Sequence, residues 1–194
     1  MKKIIIVALL FAASFSFAQV ADAPENISPL LIGEKIPPVT LQDIEGKDVV
    51  SNVVLNKKSV VIVYRGGWCP YCNAQLSDMQ EIEKEIKDLG YQIVAISPDS
   101  PSKLKATIGK DKLSYSLLSD SNGTFSKSVG IAFASPAKYG DMLGEYSDGK
   151  NKSFLPVPTV YVVDDLGVIK FLYINPNYKE RLKGNLLLAV LKNI

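Results

Sequence analysis

The stretch that decides the fold is VVIVYRGGWCPYC, residues Val60–Cys72, which continues as NAQLSDM over 73–79. Its first four residues are short, apolar and β-branched, which favours a buried strand over a helix. A glycine pair at 66–67 ends that strand. Pro70 suits the first position of a helix, where its missing N–H costs nothing. The stretch therefore predicts a buried strand, a turn and a helix.

The only two cysteines of the chain, Cys69 and Cys72, lie in this turn and in the first turn of the helix. Unpaired backbone N–H groups and the positive end of the helix dipole favour a thiolate there. They lower the pKa of a cysteine from about 8.5 into a reactive range. We therefore predict a redox centre. A static disulfide is the alternative, although closing so short a loop would stabilise the fold little.

The first residues have the pattern of a secretory signal peptide. Lys2 and Lys3 precede an apolar segment over 4–13, and Ser16-Phe17-Ala18 offers a small-x-small cleavage site. We predict a signal peptide over 1–18, an extended segment over 19–35 and one α/β domain over 36–194. The expected location is the bacterial periplasm, where disulfides persist. An uncleaved N-terminal anchor is the alternative.

Composition narrows the chemistry. The formal net charge is only +2, with lysines scattered among acids, so no nucleic-acid surface is expected. The chain has no histidine, which removes Cys-His nucleophile chemistry and the commonest metal ligand. Two cysteines cannot complete a tetrahedral zinc site. No metal or cofactor is expected, and no membrane segment in the mature form.

The remaining pattern predicts a central mixed sheet with helices on both faces. The pattern also predicts an N-terminal hairpin, a C-terminal hairpin and an irregular insert over 131–154. This insert could be a lid or a surface loop. The predicted strands cover 36–43, 48–50, 60–63, 91–97, 115–119, 157–164 and 167–174; the predicted helices cover 70–89, 100–109, 124–129 and 178–191.

With these elements placed, the chain resembles the thioredoxin superfamily, through Trp68-Cys69-Pro70-Tyr71-Cys72 and Val157-Pro158-Thr159. The resemblance implies a three-layer thioredoxin-like sandwich. It also implies a cis-proline loop at Pro158 and Thr159 beside the cysteines.

The closer likeness is to the peroxiredoxin-like branch of the AhpC/TSA family. It is carried by three segments: 64–72, Leu118-Ser119-Asp120, and 156–164. In this alignment Cys72 matches the peroxidatic cysteine. Cys69 takes the place of the family's Thr or Ser, Arg65 that of its Pro, and Gln75 that of an acid. The family's arginine near the later strand is absent, since Arg65 and Arg181 are the only arginines of the chain.

The two resemblances assign the cysteines differently: likeness to thioredoxins makes Cys69 the nucleophile, and likeness to peroxiredoxins makes it Cys72. We expect Cys69 to be the nucleophile in disulfide exchange, and the assignment for a peroxide stays open. We predict an exported antioxidant oxidoreductase that cycles a Cys69–Cys72 disulfide. Its substrate would be a peroxide or a protein disulfide, and a thioredoxin-like thiol reductase would be its electron donor. The alternatives are a disulfide reductase without peroxidase activity and a non-catalytic binding module. Arg65 is either a solvated charge or a cation beside the thiolate, and Trp68 serves packing or substrate contact.

Overall fold

The computed structural model describes residues 20–194, so the predicted signal peptide lies outside the described residues. The strands are β1 (Thr40–Gln42), β2 (Asp48–Val50), β3 (Ser59–Val63), β4 (Gln92–Ser97), β5 (Ser116–Ser119), β6 (Ala132–Ala134), β7 (Phe154–Pro156), β8 (Thr159–Val163) and β9 (Ile169–Ile174). The helices are α1 (Ser51–Val54), α2 (Pro70–Glu81), α3 (Glu83–Asp88), α4 (Pro101–Asp111), α5 (Thr124–Ser128), α6 (Gly140–Tyr146) and α7 (Gly184–Leu191).

Seven strands form one mixed sheet in the order β2-β1-β5-β4-β3-β8-β9. The β3–β4 and β4–β5 pairs are parallel, whereas β8 pairs antiparallel with β3 and β9. β1 and β2 are the predicted N-terminal hairpin. The strand leading into the cysteine motif therefore lies in the middle of the sheet, with neighbours on both sides.

Both faces of β3 are buried, as its apolar sequence predicts. Val60 and Ile62 pack into one hydrophobic cluster, with helices α2, α4 and α7. Val61 and Val63 pack into the other, with α5. Successive side chains of a strand point to opposite faces, so one apolar run serves two cores. This double burial fixes the end of β3, and with it the start of the motif.

Several predicted boundaries shift. β1 begins only at Thr40, because Pro37 and Pro38 have no N–H to donate to a neighbouring strand. The single helix predicted to end at Gly90 is two helices, which meet at Ile82. The last helix starts at Gly184, not at Tyr178. Before it, the side chains of Asn175 and Asn177 accept backbone N–H groups and compete with helix formation.

The insert over 131–154 is more ordered than a loop. It contains β6, a 3-10 turn at Ala137–Tyr139, and α6; β7, which pairs with β6, begins at its last residue, Phe154. The segment predicted to be extended over 19–35 contains, within its described residues, a 3-10 helix at Pro24–Asn26, and it meets the insert through the pairing of Ala21 with Phe133. Among residues 20–194, no helix is long and apolar enough to cross a membrane.

Candidate active site

The motif loop is held in place by three hydrogen bonds. The Gly67 N–H donates to Asp99 Oδ2 at 2.7 Å, from the loop after β4. The Asn73 side chain donates from α2 to the Gly67 carbonyl at 2.9 Å, and the Cys69 N–H donates to the Gly66 carbonyl at 3.1 Å. The loop is thereby tied both to the helix that follows it and to a neighbouring strand end.

Cys69 is the N-cap residue of α2, with extended backbone angles, and Pro70 is the first helical residue, as predicted. Cys72 lies in the first turn, and its N–H donates to the Cys69 carbonyl at 3.0 Å. Both cysteines are free thiols. Their exposed fractions are 1% and 0%, so the pair is covered by surrounding side chains.

The two sulfurs differ in acidity. A hydrogen bond from the Cys72 side chain lowers the pKa of Cys69 to about 6, against the opposing effect of burial; the Cys72 backbone N–H and the charges of Arg65 and Arg181 lower it further. Burial raises the pKa of Cys72 well above its ordinary value, and the bond to Cys69 adds to this. At neutral pH the arrangement therefore favours a Cys69 thiolate that accepts a hydrogen bond from a Cys72 thiol.

Arg181 is the residue that the sequence reasoning did not place in the site. Its Nη2 lies 3.4 Å from Cys72 Sγ. Its Nη1 donates to the carbonyls of Tyr178 and Glu180, which fixes the guanidinium there. The available signal was that the chain has only two arginines. Arg181 was nevertheless missed, because it is 109 positions from Cys72, in a segment predicted to be helical.

Arg65 is not a solvated charge, because only 4% of its surface is exposed. Its guanidinium lies over the rings of Tyr178, Trp68 and Tyr139, at 4.3, 4.9 and 5.5 Å from their centroids. Trp68 is partly buried, and its ring centroid is 5.8 Å from that of Tyr139. Through Tyr139 the insert reaches the immediate neighbour of Cys69.

Pro158 and Thr159 are buried at the start of β8, where Thr159 pairs with Val63. Pro158 thus lies next to the end of the strand that leads to the cysteines. The described residues contain no cis peptide bond, so the expected cis-proline is wrong, and the Val157–Pro158 bond has the trans form that most X-Pro bonds adopt. The Thr159 hydroxyl donates to the Val157 carbonyl at 2.8 Å.

Asp99 is a second residue that sequence reasoning missed. It is 1% exposed, and burial raises its pKa to about 7 despite the Gly67 N–H that it accepts. An acid directly after a predicted strand and proline was the available signal.

A cleft of about 420 Å³, lined by Tyr71, Gln75 and Arg181 among others, opens beside the site. Arg181 therefore lies between this cleft and Cys72.

Comparison with known proteins places the chain. The model of the AhpC/TSA family matches residues 32–172. The chain belongs to the AhpC/TSA family. It is 31% identical to chloroplastic peroxiredoxin Q of Populus jackii over 149 residues, which cover 77% of this chain and 62% of that protein. It is 30% identical to a putative peroxiredoxin, bcp, of Haemophilus influenzae over 105 residues, which cover 54% of this chain and 68% of that one.

The fold agrees with this membership. The crystal structure of peroxidoxin BcpB from Mycobacterium tuberculosis superposes with a TM-score of 0.67 at 20% identity, covering 84% of this chain and 97% of that one. The predicted thioredoxin-like α/β fold and the family resemblance are thereby confirmed. The names of the relatives support the prediction of a thiol-dependent oxidoreductase.

Proposed function

We propose that this AhpC/TSA family member is a thiol-dependent peroxidase of the peroxiredoxin type, with Cys69 as its nucleophile and Cys72 as its resolving residue. The observation that carries the proposal is the pair itself: a thiolate-favouring Cys69 that is 1% exposed, hydrogen-bonded by a Cys72 thiol and flanked by two arginines. A hydroperoxide is small enough to approach a sulfur in so closed a site. A folded protein carrying a disulfide is not, unless the covering side chains move.

The chemistry needs only the two sulfurs and a hydroperoxide. The Cys69 thiolate attacks the terminal peroxide oxygen, the O–O bond breaks, and Cys69 becomes a sulfenic acid; the departing alkoxide or hydroxide takes a proton from solvent and leaves as an alcohol or water. The guanidinium groups of Arg65 and Arg181 stabilise the negative charge that develops on the departing oxygen as the O–O bond breaks. The Cys72 thiol then loses its proton and attacks the Cys69 sulfenic acid, which releases water and forms the disulfide. A dithiol reductant, of the thioredoxin-like class, returns both sulfurs to thiols.

The test is stopped-flow oxidation of the reduced protein by hydrogen peroxide. Trp68 is the only tryptophan and directly precedes Cys69, so its fluorescence reports on the reaction. We expect a fast phase from oxidation of Cys69 and a second phase from disulfide formation. Cys69→Ser should lose the fast phase, whereas Cys72→Ser should keep the fast phase and lose the second one. Oxidation no faster than that of a free thiol would refute the peroxidase, and a fast phase lost only in Cys72→Ser would reverse the two roles.

A disulfide reductase is the second candidate, because the first cysteine of the Cys-Pro-Tyr-Cys motif has the lowered pKa and thioredoxin logic makes that cysteine the attacking thiolate. Insulin reduction, measured beside peroxide reduction on the same preparation, separates the two. A mixed disulfide trapped with a protein substrate in Cys72→Ser, together with slow peroxide oxidation, would favour the reductase.

We further propose export to the periplasm after cleavage between Ala18 and Gln19. The basic start, apolar middle and small-x-small exit of the sequence support this. The intact mass and N-terminal sequence of the protein recovered from a periplasmic fraction test it. A chain that keeps residues 1–18 and fractionates with membranes would support the uncleaved anchor instead.

A further inference from the structure

Arg65 is a buried cation with no described carboxylate close enough to form an ion pair with it. In the part of the chain that the structure describes, no carboxylate lies within ion-pairing distance of it, and its Nε is buried without a hydrogen-bond partner. A charge removed from water in this way is strongly destabilising unless something in the protein compensates it. Its surroundings must therefore be electrostatically suited to a cation.

Three aromatic rings supply that compensation, and each comes from a different part of the fold. Trp68 belongs to the motif loop, Tyr139 to the insert, and Tyr178 to the segment before α7. The negative face of an aromatic ring attracts a guanidinium, and the attraction strengthens when the pair is desolvated. We call these three rings and Arg65 the arginine cage.

The rings differ from a carboxylate in one decisive respect, since they carry no net charge. A Glu or Asp paired with Arg65 would cancel its positive field a few ångströms away. A ring stabilises the cation and leaves that field in place. The charge of Arg65 acts on Cys69, in the direction of the thiolate.

We propose that Trp68, Tyr139 and Tyr178 are positioning residues, which hold Arg65 as an unneutralised cation so that the Cys69 thiolate is its counter-charge. The proposal deepens the function proposed above and rests on it for the reaction that the thiolate performs. It also gives the insert a specific role, because Tyr139 is the ring through which residues 131–154 contact Arg65.

Other charges near this site do not take the place of the cage. Arg181 contacts Cys72, with its Nη2 3.4 Å from Sγ, and its charge, like that of Arg65, lowers the pKa of Cys69. The Asp99 carboxyl accepts the Gly67 N–H. Lys138 lies over the ring of Tyr139 at 5.3 Å, and it adds a positive charge rather than an anion. Among residues 20–194, Arg65 therefore has no carboxylate within ion-pairing distance.

The experiment measures the pKa of Cys69 in the full mature chain, from the pH dependence of its labelling by iodoacetamide with mass-spectrometric quantification. Tyr178 is only partly buried; Tyr178→Leu keeps an apolar side chain there but removes the ring face, and we expect it to raise the pKa of Cys69 by about half a unit to one unit. Tyr178→Phe keeps the ring face and should leave the pKa unchanged. Tyr139→Leu, in a separate element, should raise the pKa in the same direction.

Tyr146→Leu is the matched control, because that tyrosine lies in the same insert and stacks on Lys103 instead of Arg65. A double-mutant cycle then tests the route of the effect. In an Arg65→Gln background, Tyr178→Leu should cause no further shift of the Cys69 pKa. Packing damage alone would shift it equally in both backgrounds.

The proposal is overturned if folded Tyr178→Leu and Tyr139→Leu both keep the wild-type pKa, or if the shift persists in the Arg65→Gln background. These readouts need no peroxide. If the pKa values shift as expected while peroxide oxidation is slow, the arginine cage stands and the peroxidase reaction fails. If peroxide oxidation is fast and the pKa of Cys69 does not change in the variants, the peroxidase reaction stands and the arginine cage is wrong.

Discussion

Replacing Cys72 by Ala should raise the pKa of Cys69, in addition to removing the second step of the reaction. The hydrogen bond from the Cys72 side chain is the largest influence that lowers the pKa of Cys69. Ala removes that donor and leaves Arg65, Arg181 and the helix N-terminus in place. We expect the pKa to rise by about two units, to about 8, since the charged form loses its closest donor.

The size of the effect depends on the pH at which it is measured. At pH 7 the thiolate fraction would fall about tenfold, but a thiolate of higher pKa is a better nucleophile by about 6- to 10-fold, so the two changes nearly cancel. At pH 5.5 the fraction would fall about 75-fold, which leaves a net rate about tenfold lower. A measurement at neutral pH alone would therefore miss the hydrogen bond.

The assay is iodoacetamide labelling of Cys69 between pH 4.5 and 9, followed by peptide mass spectrometry. Cys72→Ser is the control, because it also lacks a resolving thiol but keeps a hydroxyl donor, so its midpoint should lie near that of the wild type. Equal midpoints for wild type and Cys72→Ala would refute the reasoning, and so would Ala and Ser variants that shift together.

Three further changes have expected outcomes. Arg181→Gln removes the guanidinium 3.4 Å from Cys72 Sγ, whose charge lowers the pKa of Cys72. Disulfide formation should therefore slow about tenfold, and the sulfenic acid on Cys69, detected with dimedone, should live longer. An unchanged lifetime would contradict this. Asp99→Asn should remove a fall in stability with rising pH. The pKa of Asp99 in the folded state, about 7, lies above the ordinary 3.8, so the folded state binds the proton more tightly than the unfolded state. The free energy of unfolding of the wild type should therefore fall relative to that of Asp99→Asn by about 1.4 kcal/mol per pH unit between about pH 4 and 7. If the two proteins show the same pH dependence in urea unfolding, the prediction is wrong. Gly66→Ala should destabilise the protein by about 2–3 kcal/mol, because φ is +144° and a Cβ would lie 2.3 Å from Trp68 Nε1. Gly46→Ala, at φ +81° with nothing within 4 Å, is its control in urea unfolding, and equal losses would show that only backbone conformation matters.

The local part of the site follows from the sequence. A branched apolar strand, a glycine pair, and a proline after Cys69 predict a cysteine at a helix start, and the structure places it at the N-cap. These features depend on neighbouring residues, so spacing and propensity suffice to read them.

The surroundings of the cysteines do not follow in the same way. The contacts of Arg181, Tyr139 and Tyr178 with the site form because the insert meets the motif loop and the segment after β9 meets α2, and no sequence periodicity predicts such contacts. For the same reason, the sequence does not decide whether Arg65 is a solvated charge or a cation beside the thiolate. Burial of a charged side chain depends on which rings surround it in three dimensions.

The contact between Arg181 and Cys72 has a consequence for synthesis. Cys72 is translated 109 residues before Arg181, whose guanidinium contacts its sulfur, and Tyr139 and Tyr178 also follow both cysteines in the chain. A growing chain therefore carries a cysteine pair at a bare helix start, without the arginine cage or Arg181. Its sulfurs gain their final reactivity only when the segment that carries Tyr178 and Arg181 packs against the site. The proposed reaction with peroxide is therefore a property of the complete, folded chain.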